Sequence, residues 1–498
     1  MSYLDLVKLL IPEIAVVVTA LIVLVVGLTI ERKATGTPAP ADFCSVVAAV
    51  GLLGAMASFF LLPAQARMFD GMIVVTPLTS LFKIICLALA FFTVLLASEA
   101  KALRNRGEYL AVLLLAAVGL MLLVGSEELL MIFIGLELTG LSLYTLVAFD
   151  KTDVRSAEAG LKYFLFGSTA SAFTLFGLSL VYGMSGTTVL QGIALKVSTG
   201  SVAPLFAAGL VMTLIGFAFK IAAAPFHLWA PDVYQGAPPS SAAFIASGSK
   251  VASIFVLGKI VLIGFGPLAG SAAWHAMVGG WSPVLAALAA LSIVIGNLVA
   301  LVQSNARRLL AYSAVAHAGY TLLGLVAGGK NGFGSTLFYT TSYAFTLVGA
   351  FGVVALVRQQ TGGDDVKNFS GLRSRSPLLA GCMAVFLLSL AGLPPLAGFF
   401  GKFYLFSAAL RSAESPGLLW LVALALFGSL ISLYYYLIVL KAIFLDENEN
   451  ARGEVTAQSG SASRGSWPQA TIALLAAIVI FLGLNPASLL SRIIASLP

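Results

Sequence analysis

Charge is what this sequence has least of. Of its 498 residues 10% are Asp, Glu, Lys or Arg and 59% are hydrophobic, where soluble domains carry roughly 25% charged residues. A mean hydropathy of +1.01 excludes a soluble globular protein. Cysteine is almost absent, and Cys44, Cys86 and Cys382 stand far apart without CxxC spacing, which excludes a disulfide framework, a zinc site and an iron–sulfur cluster. The three histidines, His227, His275 and His317, have no second ligand at metal-binding spacing, so no metal is expected. There is no phosphate-binding loop, dinucleotide fingerprint or nucleophile elbow, and so no visible means of redox or hydrolytic chemistry in this chain. Segments of alternating polarity, which a transmembrane barrel needs, are also missing. The net charge of +7 is spread singly or in pairs, never as a basic stripe with aromatics, which argues against nucleic acid.

What is present is a succession of apolar runs long enough to cross a bilayer as helices. Cutting at charged, Gly, Pro and Ser clusters gives fourteen spans, near 11–30, 43–62, 77–98, 109–126, 128–149, 157–183, 203–224, 239–264, 283–304, 309–328, 332–358, 377–410, 417–445 and 468–488. The fold expected is therefore an all-α polytopic membrane protein. The first run is too long for a signal-peptide core and reads as a retained span. Sixteen Lys and Arg residues follow odd-numbered spans, among them Arg32, Lys33, Lys101, Arg104, Lys151, Arg155, Arg307, Arg308, Arg358, Arg452 and Arg464, and six lie on the other face. The richer face is expected in the cytoplasm, with both termini outside.

Six lysines are left within spans: Lys83, Lys162, Lys220, Lys250, Lys259 and Lys402. A charge near the bilayer centre costs several kcal/mol and usually faces a protein interior or a water path. Lys83 and Lys259 are expected to snorkel to a span end. Lys162 follows Glu158 by one helical turn, near the start of its span. Lys220, Lys250 and Lys402 lie deep, and Glu137 sits midway along the fifth span. Lys220 precedes Pro225, and Gly392, Pro394, Pro395 and Gly398 precede Lys402. Proline removes a backbone donor and glycine loosens a helix, so spans seven and twelve should be interrupted near midmembrane. Two interrupted spans five apart are the pattern of inverted five-helix repeats.

Gly140, Leu141 and Tyr144 share a helix face with Glu137, and Gly140 leaves room for another helix to bring up a cation, for which Lys220 is the plausible source. Burial disfavours a charged form and pairing restores it. Making and breaking a Glu137–Lys220 pair would thus load and unload a proton. Ser247, Gly248 and Ser249 give Lys250 small, hydroxylated neighbours suited to ordered water. His317 is placed to bridge towards Lys402, or else is a packed histidine among small residues. The line of ionisable groups suits proton conduction driven from elsewhere; the contrary reading is a scaffold whose buried pairs only fix packing.

At these residues the sequence resembles the antiporter-like membrane subunits of respiratory complex I, the proton-translocating NADH:quinone oxidoreductase. The resemblance is carried by EELLMIFIGLELTGLSLYTLVAF, EAGLKYFLFGSTASAFTLFGLSLVYG, FKIAAAPFHLWAPDVYQGAP, SGSKVAS, RRLLAYSAVAHAGY and GLPPLAGFFGKFYLF. Subunits of multisubunit sodium/proton antiporters share the seventh- and twelfth-span stretches, which keeps that class as the alternative. The resemblance implies an N-terminal three-helix segment (1–108), inverted five-helix repeats at 109–264 and 283–445, and a cytoplasmic loop with a final helix (446–498). It implies a proton path in which Glu137 pairs with Lys220, Lys250 joins the halves, Lys402 serves the exit and Lys162 tunes the entrance. It implies no cofactor here, with FMN, iron–sulfur clusters and quinone in partner subunits. The partners implied are the other membrane and peripheral subunits, adjacent antiporter-like chains and the lipid of a bacterial inner membrane. Similar proteins often carry an acid where Thr76 stands, which leaves Lys83 without an obvious local partner.

Overall fold

The computed structural model describes residues 3–33, 42–98, 105–198, 203–412, 417–446 and 467–497. Lys101, Arg104, Arg452, Arg464 and the expected cytoplasmic loop at 447–466 lie outside the described residues. In lipid, backbone polar groups must be satisfied within the chain, and the apolar runs accordingly form helices. Among the described residues twelve are long and apolar enough to cross a membrane. The spans are Ile11–Lys33, Asp42–Ser58, Pro77–Ala97, Arg106–Val124, Leu129–Val147, Val154–Ser185, a broken seventh, Pro239–Gly264, Trp281–Ala300, Ala306–Ala327, Gly329–Thr361, a broken twelfth, Leu419–Phe444 and Trp467–Leu484. The eighth, tenth and eleventh form the interior, each 94% buried over its most apolar window, whereas the first, second and sixth are only 33–39% buried and face outward.

Both interruptions occur where proline and glycine require them. The seventh span consists of the arms Pro204–Lys220 and Trp229–Gly236, and the twelfth of Pro377–Ala391 and Ala397–Leu410. The first arm ends in the same way in each. Ala222 and Gly392 take left-handed φ of 58° and 87°, and the next residue, Ala223 or Leu393, reaches back to the carbonyl of Ala218 or Leu388 at 2.8 and 3.1 Å. This is a Schellman-type stop. Glycine adopts it freely, while alanine pays about 1–2 kcal/mol for the left-handed conformation.

The repeat is also visible where spans five and ten begin. Glu128 caps the fifth by accepting from Leu130 and Met131, and Asn305 caps the tenth by accepting from Arg307 and Arg308. Each cap forms a β-bridge to the loop just after the following span, Glu128 to Val189 and Asn305 to Asp365. One bridge follows an even-numbered span and the other an odd-numbered one, so the two lie on opposite membrane faces, as inversion demands.

Lys83 and Lys259 do not snorkel. Lys83 is buried and meets Glu13 of the first span at 2.6 Å, a partner seventy residues away that takes the place of the acid absent at Thr76. Lys259 is buried beside Glu127 at 3.3 Å and donates to the Ser126 carbonyl at 2.9 Å. An acid delivered by tertiary packing meets each ammonium within the protein and close to a span end, Glu13 in the first turn of the first span and Glu127 in the connection between the fourth and fifth.

Candidate functional site

The fifth span brings Glu137 and Gly140 to the broken seventh. A Cβ on Gly140 would lie 2.9 Å from the Lys220 ammonium, so that close approach depends on the missing side chain. Lys220 is buried at the end of its arm, 5.7 Å from the centre of the Tyr144 ring. The expected ion pair does not form: Glu137, half-buried, accepts from the Ser171 hydroxyl of the sixth span, and no Glu137–Lys220 contact falls within ion-pair distance among the described residues. Tyr163 stacks on Trp229 at 4.5 Å, and the Trp229 indole donates across the helix break to the Phe219 carbonyl at 3.1 Å. These rings wall the break next to Lys220.

Lys250 follows a π-helical turn, Ile245–Ser249, and the Ser247 hydroxyl within it donates to the Ala243 carbonyl at 2.7 Å. The Lys250 ammonium donates to the Ala314 carbonyl at 2.9 Å and lies 5.9 Å from the centre of the Tyr343 ring. His317 occupies the middle of the tenth span. Tyr343 stacks on it at 4.6 Å, the Tyr339 hydroxyl bonds its Nδ1 at 2.6 Å and the Tyr436 hydroxyl meets its Nε2 at 3.3 Å. Tyr436 is itself held by Ser313. Both ring nitrogens of His317 are thus met by tyrosine hydroxyls, with Tyr343 between it and Lys250 and Tyr320 between it and Lys402.

Lys402 sits on the second arm of the twelfth span and folds back over the end of the first. Its ammonium donates to the carbonyls of Leu390 and Ala391, both at 3.0 Å, and to the Ser429 hydroxyl at 2.8 Å. Those carbonyls are orphaned by the break and form the negative end of a half-helix dipole. The two breaks therefore place their lysines differently. Counted from Ala222 and Gly392, Lys402 stands where Asp232 stands in the seventh span, and Lys220 where Leu390 stands in the twelfth.

Asp232 was not singled out in the sequence, although it stands in the stretch FKIAAAPFHLWAPDVYQGAP that follows Lys220. It lies 2.8 Å from Lys162 and 2.8 Å from Arg308, and Lys162 also meets Glu158 at 2.7 Å. This cluster lines an open cavity of about 300 Å³ with Arg155 and Gln235. Lys162 is therefore a half-exposed member of an open charged cluster, set apart from the deep lysines. Arg358 and Asp153, at 3.6 Å, bring the end of span eleven to the start of span six on the same face. His227 is buried in the break of the seventh span beside Tyr312. No group of His, Cys, Asp and Glu fit to hold a metal occurs among the described residues.

Residues 126–432 match the family described as NADH:quinone oxidoreductase/Mrp antiporter, TM. NADH-quinone oxidoreductase subunit N 2 of Acidobacterium capsulatum is 43% identical over 97% of this chain and 98% of its own length. Subunit N of Moorella thermoacetica is 43% identical over 80% of this chain and 82% of its own. A chain in the structure of respiratory complex I from Thermus thermophilus with bound Aureothin superposes with a TM-score of 0.76 at 33% identity, covering 96% of this chain and 98% of that one. A chain of the Mrp complex from Dietzia sp. DQ12-45-1b gives 0.83 at 20% identity over 99% and 97%, a likeness of fold alone.

Proposed function

The chain belongs to the NADH:quinone oxidoreductase and Mrp antiporter family of membrane subunits, and on that premise we propose that it is a subunit N type, proton-translocating component of the membrane arm of a bacterial NADH:quinone oxidoreductase. The observation that carries this reading is the row of buried groups at the level of the two helix breaks: Lys220 with Glu137 and Tyr144 nearby, Lys250, His317, and Lys402. Protons move from the cytoplasm, past the Glu158–Lys162–Asp232 entrance to Lys220, on to Lys250, and out past Lys402. The first five-helix repeat, 109–264, supplies uptake; the second, 283–445, supplies release; the segments 1–108 and 446–498 flank them. Both termini lie in the periplasm and the chain spans the inner membrane. FMN, iron–sulfur clusters and quinone belong to partner subunits, whose redox chemistry drives the transfer.

In this state Glu137 accepts from Ser171 while the Lys220 ammonium lies by the Tyr144 ring, and an unclosed Glu137–Lys220 pair supports a switching role. A pair that forms in one state and parts in another changes the proton affinity of the ammonium by up to several units of pKa, which is what a loading site needs. Lys220→Ala or Glu137→Ala in the assembled complex is expected to abolish or strongly reduce uncoupler-sensitive pumping. Unchanged pumping at normal assembly refutes the assigned roles. Sodium-dependent transport with no NADH requirement refutes the oxidoreductase setting.

A further inference from the structure

Between His317 and Lys402 stands the ring of Tyr320, whose hydroxyl is bonded by Asn297. Lys402 uses three hydrogen bonds, to Leu390, Ala391 and Ser429, which exhausts the donors of an ammonium. Both ring nitrogens of His317 meet tyrosine hydroxyls, Tyr339 and Tyr436. No hydrogen bond joins the two groups among the described residues. Tyr320 touches both: its ring stands edge-on to His317 at 5.5 Å, and the Lys402 ammonium lies 5.2 Å from its centre. The Tyr320 hydroxyl is held from the far side, accepting from the Asn297 amide of the ninth span at 3.1 Å. Asn297 is fully buried and is fixed in turn by the Ile293 carbonyl at 2.8 Å and the Tyr435 hydroxyl at 3.2 Å. The pocket for this bond exists because residue 428 is glycine: a Cβ there would meet the Asn297 amide at 2.8 Å and the Tyr320 hydroxyl at 3.0 Å.

We propose that Tyr320 is a gate between His317 and the exit lysine, and that Asn297 is its latch. The inference rests on the proton-translocating reading and adds a positioning pair to it. With the latch made, the ring keeps water from joining imidazole to amine. With the latch broken, the ring swings aside and admits a water chain. Once Lys402 has given its proton to water on the exit side, the neutral amine accepts a proton from the His317 imidazolium, and the ring closes again against backflow. The latch therefore restrains leak, a role that simple packing does not have.

The test is passive proton leak in membrane vesicles that carry the assembled complex, measured as the collapse of an imposed pH gradient without NADH. Tyr320→Phe keeps the ring and removes the latch, and Asn297→Leu removes it from the other side. Each is expected to raise the leak about five- to tenfold, the change in open population that one buried hydrogen bond supports. The double variant leaks no more than either single one. Tyr435→Phe removes one of the two bonds that fix Asn297 but leaves the latch itself, and is expected to raise the leak by less than Tyr320→Phe. Normal leak in assembled Tyr320→Phe overturns the gate, as does a leak in the double variant equal to the product of the two single effects. If Asn297→Leu does not assemble, Tyr320→Phe alone decides. Lys220→Ala in the same vesicles separates the two claims. If it stops pumping while Tyr320→Phe stays tight, only the gate falls; if it pumps normally, the translocation reading falls.

Discussion

Removing either member of the Glu13–Lys83 pair should damage assembly, and removing both should repair it. The two groups meet at 2.6 Å with side chains 5% and 4% exposed, and a Cβ on Gly125 would lie 2.7 Å from the ammonium. Little room remains for water to replace a lost partner. Breaking a buried pair from one side leaves an uncompensated charge at a cost of about 3–5 kcal/mol, whereas replacing both members by apolar residues of similar volume is neutral or stabilising by about 1–4 kcal/mol. A penalty of ~3 kcal/mol is more than a hundredfold in an equilibrium constant, a large part of what holds a domain folded. Glu13→Leu alone and Lys83→Met alone should therefore sharply reduce the assembled complex recovered from native membranes. Glu13→Leu combined with Lys83→Met should restore it, and the protons pumped per electron should match the parent in whatever assembles. The assay is native electrophoresis of solubilised membranes together with the proton-to-electron ratio in vesicles. A double variant that assembles but pumps poorly refutes the reasoning, because it would put this pair on the proton path rather than in the scaffold.

Other expectations follow from particular contacts. Gly140→Ala directs its new methyl at the far end of the Lys220 side chain, so the ammonium can shift and assembly should be normal, yet pumping should fall; normal pumping would show that Lys220 needs no fixed place beside the fifth span. Gly392→Ala forces a left-handed alanine, about 1–2 kcal/mol, and brings a Cβ to 3.0 Å from Lys402 Cδ; thermal stability and pumping should decline together, and loss of neither would refute the described turn. Asp232 is a third exposed, so Asp232→Asn should change stability by less than about 1 kcal/mol. Its effect should be on proton uptake, slowed as in Lys162→Ala, and assembled Asp232→Asn with unaltered uptake would remove the cluster from the entrance.

The sequence by itself determined the membrane class, the fourteen crossings and the two interruptions. These depend on local properties: an apolar run in lipid has helix as its satisfied state, and proline or glycine breaks that helix wherever it stands. It also marked the deep lysines, since a charge within an apolar run stands out without knowledge of its neighbours. Tertiary structure alone decided what each charge touches. Lys83 found Glu13 across seventy residues, and Lys259 found Glu127 of the connection between spans four and five. Glu137 took Ser171 in place of Lys220. Asp232 gained its meaning only when the second arm of the seventh span folded against spans six and ten. The tyrosines around His317 were not legible because each comes from a different turn or span and looks apolar in a hydropathy count. Local composition fixes whether a segment enters the membrane, but ion pairs and hydrogen bonds act over only a few ångströms, and which groups come that close is set by how the helices pack.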